Sequence, residues 1–441
     1  MINRLWAFTF FIAVASEVMA GAFRYYASAV GATPVFYAPK VLMLVCIAVL
    51  LTQRPPKIGH LLAGLYIAVQ ACVALANGVE LTAVFFWLWL VSPMLFAMMA
   101  PPGALSILNG RTARIAFVIL AVVCMVGVYV NYFMPLPWVG TSADVGGVAI
   151  GNAQQSYTGF VKRLPGFGRS SATTGLLIGL LMTWLLPRVR SRVVLLVLLV
   201  ASAVAIWATT NKTTVVALAL VVALYFLARA LTLRKACIWA AALMVLLPFG
   251  SYVATAAFND VVVGSGALSS FQDRIVDTWP LILQGMLREN LIWLGTGPGG
   301  FGAAAGFYKG SFGFNVGYAD NLALYTVANF GLLGGILLAF LLTKFVLLRE
   351  SEDKALWIML FFLLVSGITT DVVESFGCLL FLGVTIRSLL GAQTPQRLPA
   401  RSFSRVRHSG NKRNRSTSPA DRAARGAWSP TAAQTKTEAS E

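Results

Sequence analysis

The chain is 441 residues long, 58% of them hydrophobic and only 11% charged, against roughly 25% charged in soluble domains. That composition excludes an ordinary soluble enzyme. Lysine and arginine outnumber the acids 34 to 16, for a formal net charge of +18, so the charge that is present has to be accounted for by position.

Apolar runs of about 15 to 22 residues recur along the chain, each long enough for a helix to cross a bilayer core of about 30 Å. They predict an all-α integral membrane protein with about 12 spans, near 5–22, 35–52, 60–76, 81–100, 114–134, 172–187, 193–209, 213–229, 236–256, 320–343, 355–371 and 374–391. The opening Met1 to Ala20 has the outline of a signal peptide, with Arg4 ahead of an apolar stretch and small residues at Val18-Met19-Ala20. Glu17 interrupts it and many spans follow, which favours a retained first span. A carboxylate inside a span is costly to bury, so Glu17 is a functional suspect without a legible partner.

The five cysteines, Cys46, Cys72, Cys124, Cys237 and Cys378, all fall inside apolar runs with no CxxC and no partner at metal spacing. This speaks against a disulfide framework and against a zinc site. With the N-terminus in the cytoplasm, the inner loops hold Arg54, Lys57, Arg111, Arg114, Arg188, Arg190, Arg192, Arg234 and Lys235, and the positive-inside rule places both termini there. The acids Glu80, Asp144, Asp273, Asp277, Asp320, Asp371 and Glu374 come out on the opposite face.

Two outer connections are long, about 135–171 and about 257–319, and long loops in a compact bundle are usually functional or disordered. Trp138, Phe160, Phe167, Phe271 and Trp279 argue for folding, with the loops capping the helices and enclosing a site. Phe271, Ile275, Trp279, Leu283 and Leu287 have helical spacing, opposed by Asp273, Arg274 and Asp277. They predict an amphipathic segment at the membrane surface, broken or kinked by Pro280. From Gly295 to Gly317 there are nine glycines in 23 positions, a flexible or tightly turning backbone. The tail from about 392 to 441 is basic and lacks apolar periodicity. It reads as disordered and seated on the anionic cytoplasmic leaflet, in preference to a nucleic-acid role.

The outer cations are the exceptions to the charge bias, and so the most informative residues. Arg163 and Arg169 precede the sixth span in Lys162-Arg-Leu-Pro-Gly-Phe-Gly-Arg, where arginine can grip a phosphate in two parallel hydrogen bonds; the alternative is snorkelling to lipid headgroups. Lys212 caps a helical hairpin and on its own reads as a turn lysine. Arg274 can pair with Asp277 one turn on or with another acid. Together the four cations would make a pocket for a dianion such as pyrophosphate. Asp320-Asn321 opens the tenth span as a helix cap or as a carboxylate able to take a proton from a sugar hydroxyl. Asp371 and Glu374 in the last outer turn are weaker candidates, and read first as solvated or paired with an arginine. The two histidines, His60 and His408, lie on the inner side, and no Walker A, Rossmann or HExxH motif is present, which argues against nucleotide-driven or zinc chemistry.

The order of these features resembles the O-antigen ligase and polymerase superfamily, the Wzy-type membrane glycosyltransferases of bacterial surface polysaccharide assembly. Arg163-Leu-Pro-Gly166 is similar to its Arg-x-x-Gly, and Thr210-Asn-Lys-Thr to its Ser-Arg turn. Arg274 with Trp279, then Gly295-Thr-Gly-Pro-Gly-Gly-Phe301, resembles its Arg, Trp and Gly-x-Gly loop. Asp320-Asn321-Leu-Ala-Leu-Tyr325 with Gly331-Leu-Leu-Gly334 resembles its His/Asp-Asn motif and following helix. The similarity covers about residues 150–345. Two departures stand out: Lys212 replaces the usual arginine, and Asp320 stands where ligases have histidine, which favours a polymerase.

The resemblance implies a GT-C-like bundle with two long periplasmic loops in the bacterial inner membrane, active site facing the periplasm. It implies a metal-independent glycosyltransferase that needs no cofactor and acts on polyprenyl-diphosphate-linked oligosaccharides, with a chain-length regulator and a flippase as partners and no nucleic acid. Arg163 and Arg274, with Arg169, would stabilise the departing diphosphate, and Asp320 would activate the sugar hydroxyl. Lys212, Trp279 and Asn321 would bind substrate. A ligase onto lipid A core or protein is the nearest alternative. A secondary transporter is the rival of another class, disfavoured by charges at helix ends and by the lack of a repeat.

Overall fold

The computed structural model describes residues 1–53, 58–145, 148–158, 161–257, 269–308, 312, 317–348 and 353–391. The basic tail and Phe160 lie outside them. Helices stand at every apolar run. They are α1 (Ile2–Val18), α2 (Ala20–Ala29), α3 (Ala38–Gln53), α4 (Ile58–Ala76), α5 (Leu81–Met98), the short α6 (Pro102–Leu108), α7 (Arg111–Phe133), α8 (Ser171–Leu185), α9 (Arg192–Ala208), α10 (Lys212–Leu227) and α11 (Ala230–Ala257). The rest are α12 (Ser269–Asp273), α13 (Trp279–Arg288), α14 (Ala303–Phe307), α15 (Leu322–Leu348), α16 (Lys354–Gly367) and α17 (Phe376–Gly391). Among the described residues six helices are long and apolar enough to cross a membrane, and five shorter ones are apolar throughout. The first span is not one rod: α1 and α2 bend by 85° at Met19. This is an all-α membrane protein in its architecture.

Helices α8 and α16 form the centre. Nearly every residue of each is buried, as expected of helices apolar on all sides. Leu61, Leu62 and Leu65 of α4 and Leu196, Val197 and Val200 of α9 are exposed instead, an apolar exterior suited to lipid tails. Serine caps start two of the helices: Ser170 Oγ accepts from the Thr173 amide before α8, and Ser191 Oγ from Val194 before α9.

The connection before α8 carries two small hairpins, β1 (Ser142–Val145) with β2 (Val148–Gly151) and β3 (Ser156–Thr158) with β4 (Val161–Arg163). The second long connection corrects the expected surface helix. Through a π turn at Arg274–Thr278, α12 runs on into α13, and Pro280 follows just after the π turn, where a proline in a continuous helix removes one N–H donor. The apolar face of this segment is turned onto the protein: Trp279, Ile282, Leu283 and Met286 are buried in one cluster with Leu324, Tyr325 and Val327 of α15.

The glycine-rich loop is folded and buried from Gly295 to Gly302. Its anchor is a break in α15 at Gly331, whose φ of 68° lies in the left-handed region. The amides of Leu332 and Leu333 leave the helix and donate to the carbonyls of Ile292 and Trp293, at 2.8 and 3.3 Å. The carbonyls of Ala328 and Asn329, which those amides would have met in an unbroken helix, accept instead from Thr296 and Gly297, at 2.9 and 2.8 Å. A side chain at Gly331 would strike the Trp293 carbonyl.

Candidate functional site

A cavity of about 450 Å³ opens where α8 and α10 begin and α16 ends. Ser171 and Ala172 at the start of α8 and Lys212 and Thr213 at the start of α10 line it, with Arg163 from β4, Arg274 from the π turn and Asp320 from the segment before α15. Four of the sequence-expected residues are thus brought together from distant parts of the chain. Three are cations and one is an acid. Two helix N-termini add their positive ends, each worth about 0.3–1 kcal/mol toward an anion.

Arg274 and Asp320 form a salt bridge at 2.8 Å between partly exposed side chains. The guanidinium Nε also donates to the same carboxylate oxygen, Oδ2, at 3.0 Å, and Nη1 donates to the carbonyl and hydroxyl of Ser270. Arg274 therefore pairs across the fold, and not with Asp277 on its own helix. The remaining Asp320 oxygen, Oδ1, accepts no hydrogen bond from the described side chains or backbone. Burial pushes the Arg163 guanidinium below its ordinary pKa, the neighbouring Arg274 pushes the same way and Asp320 opposes both; it stays cationic all the same.

Asp320 holds a left-handed backbone with φ 47°, tolerated by Asp far better than by branched residues. Asp371, only a weaker candidate in the sequence, holds that backbone. Its carboxylate accepts the three successive amides of Ala319, Asp320 and Asn321, each at 3.2 Å, a nest of N–H groups wrapped on an anion. Asp371 is buried and, among the described residues, paired with no arginine. Burial pushes its pKa well up, Glu374 and Asp320 add to that, and the amides oppose it.

The helix cap is Asn321. Its Oδ1 accepts the Leu324 amide at 2.9 Å while Nδ2 donates to the carbonyls of Met244 and Ile368, both at 3.0 Å. It is fully buried and does not line this cavity, so the structure places it behind Asp320 as a support. Trp279 is also fully buried, its Nε1 donating to the Ala319 carbonyl at 2.8 Å, which leaves no face on which a sugar can stack. Asn211 caps α10 through the Thr214 amide and donates to the Ala172 carbonyl, tying the two helix starts together. Thr210 has φ 62° and a buried hydroxyl without a partner among the described residues, on the cavity wall.

Arg169 departs from the expected cluster. A tight turn closes from the Gly168 amide to the Pro165 carbonyl, with Gly166 at φ 60°, and the Gln154 amide holds the Arg169 carbonyl. The chain reverses between the two arginines, so Arg169 lines a separate cavity with Glu17 and Glu374. Glu374 accepts the Ala303 amide there, and Arg169 acts on it electrostatically across the same cavity. Among the described residues no three His, Cys, Asp or Glu side chains are grouped to hold a metal ion. Comparison with protein-family models, curated proteins and solved structures finds no match.

Proposed function

We propose that the chain is a membrane glycosyltransferase of the polymerase type, joining polyprenyl-diphosphate-linked oligosaccharide units into a surface polysaccharide on the periplasmic side of the inner membrane. The observation that carries this reading is the meeting of Arg163, Lys212 and Arg274 around one partly exposed carboxylate, Asp320, at two helix N-termini. In the proposed reaction a sugar hydroxyl of one lipid-linked unit attacks the anomeric carbon of the growing chain, and polyprenyl diphosphate leaves. The leaving group gains negative charge as the bond breaks, and cations fixed at that place stabilise it. Asp320 Oδ1 takes the hydroxyl proton, its partner oxygen held by Arg274. The donor is already activated, so the step needs no nucleotide.

Deletion of the gene, with sizing of surface glycan and extraction of lipid-linked intermediates, tests the proposal. Loss of long polymer with single repeat units left on lipid supports it. Normal-length polymer stranded on the lipid carrier points to a ligase, and unchanged glycan overturns the transferase reading.

A further inference from the structure

The second cavity, of about 320 Å³, lies at the break between α1 and α2 and has no part in the proposed chemistry. Its charged groups are three cations, Arg24, Lys40 and Arg169, and two carboxylates, Glu17 and Glu374. Arg24 is almost completely buried, yet only its Nη1 is used, donating to the Gly151 carbonyl at 2.8 Å; its Nε has no partner among the described residues. The Glu17 carboxylate accepts no hydrogen bond from any described residue, although Arg169, Lys40 and Arg24 all act on it electrostatically. The walls between these groups are aromatic. Lys40 Nζ sits 4.9 Å from the Trp89 ring centre and Arg24 4.3 Å from that of Phe36, and Tyr37 and Tyr308 complete the lining.

Charge selects among ligands. A polyanion meets two carboxylates there and a cation meets three positive groups, whereas a neutral polyol uses both sets, donating hydroxyls to the carboxylates and accepting from the cations. Apolar ring faces suit the C–H faces of sugars. The volume is at the lower end of the roughly 300–1,000 Å³ of ligand pockets, enough for a short oligosaccharide segment. The first turn of α8 is the wall between the two cavities: Ser171 and Ala172 line one, Arg169 and Thr173 the other.

We propose that this cavity is a carbohydrate subsite, seating a neutral, hydroxyl-rich stretch of glycan across the first turn of α8 from Asp320. The identity of that glycan as the lipid-linked repeat rests on the transferase reading; the sugar chemistry of the cavity does not.

The test uses the purified full chain in lipid nanodiscs and, as probe, the oligosaccharide released by mild acid from the host's own lipid-linked glycan. Binding is followed by saturation-transfer NMR and titration. Wild type and Leu196→Ala, at an exposed position on α9, bind with similar affinity, while Glu17→Gln and Trp89→Ala each weaken binding at least tenfold. Binding lost in Arg274→Ala but retained in Glu17→Gln overturns the subsite, as does no binding at millimolar sugar. Should the cavity variants fail to fold, Ser16→Cys in a Cys72→Ser background, at a position lining the cavity, is labelled with a thiol reagent: protection by the oligosaccharide supports the proposal and unchanged labelling overturns it. Unchanged surface glycan in the deletion strain would sink the transferase reading while leaving a positive binding result intact.

Discussion

Arg274 donates from both Nε and Nη2 to a single oxygen of Asp320, at 3.0 and 2.8 Å. The carboxylate is thereby held by one oxygen and left open at the other. Replacing Asp320 with Asn removes the base and should lower polymer synthesis at least a hundredfold with near-normal protein in the membrane. Arg274→Lys keeps the charge but loses the forked geometry, and should cost at least tenfold. Quantified polymer from complemented deletion strains checks both. Full activity of the lysine variant would mean that bulk charge alone suffices.

Asp371 acts through its neighbours. Asp371→Asn turns one acceptor into an N–H donor facing backbone amides, a cost of about 1–3 kcal/mol for a buried group left unsatisfied. The expected outcome is a thermal midpoint lower by several degrees and a turnover number reduced more than the Michaelis constant is raised, since Asp320 loses its fixed backbone. A turnover number equal to wild type at unchanged stability would remove Asp371 from the account.

The break in α15 gives a backbone prediction. Gly331→Ala forces alanine into a positive-φ, extended-ψ backbone that essentially only glycine adopts, about 1–3 kcal/mol of strain, and places a methyl against the Trp293 carbonyl. It should reduce membrane-inserted protein severely. Gly64→Ala, where nothing lies within 4 Å of the added carbon, should leave the level unchanged.

How much of this was legible in the sequence follows from how local each cause is. Apolar runs dictate helices directly, and every such run carries one. Arg163, Lys212 and Arg274 stood out as cations against the charge bias and Asp320 as the carboxylate of an Asp-Asn pair opening a span, and the four do converge. What failed to show depends on distant backbone. The partners of Asp371 lie about fifty residues away, and main-chain amides leave no mark in a side-chain pattern. The Arg169 displacement comes from a turn geometry that residue spacing does not reveal. The bend at Met19 falls in an apolar run that only Glu17 interrupts and no proline marks. One signal was present and passed over: Val145-Gly-Gly-Val148 is a two-residue hairpin pattern, and strands β1 and β2 flank it.

Trp279 separates anchoring from sugar stacking. Trp279→Ala empties a buried aromatic site and should cost about 3–5 kcal/mol of stability. Trp279→Phe should restore most of that and, with it, most of the activity. A stable phenylalanine variant that has lost substrate affinity would place the indole on the substrate after all.

Glu374 predicts a pH effect. Burial raises its pKa, against the Ala303 amide, Tyr325 and Arg169, which lower it. A carboxylate whose pKa is raised on folding binds more protons in the native state, so stability is full below the unfolded value of about 4.3 and declines as pH rises through the folded one. Thermal midpoints in detergent between pH 4 and 8 should fall with pH in wild type and fall less in Glu374→Gln. Equal slopes would mean that Glu374 titrates alike in both states.

The central claim is the transfer itself, with polyprenyl diphosphate departing from the cavity of Arg163, Arg274 and Asp320. The most direct measurement incubates purified protein in nanodiscs with lipid-linked repeat units alone, and follows both glycan length and released polyprenyl diphosphate. The account predicts a ladder of polymers with one carrier released per unit joined, without added nucleotide, and neither product with Asp320→Asn. Unextended repeat units from an active, folded preparation, or a ladder undiminished by Asp320→Asn, would contradict it.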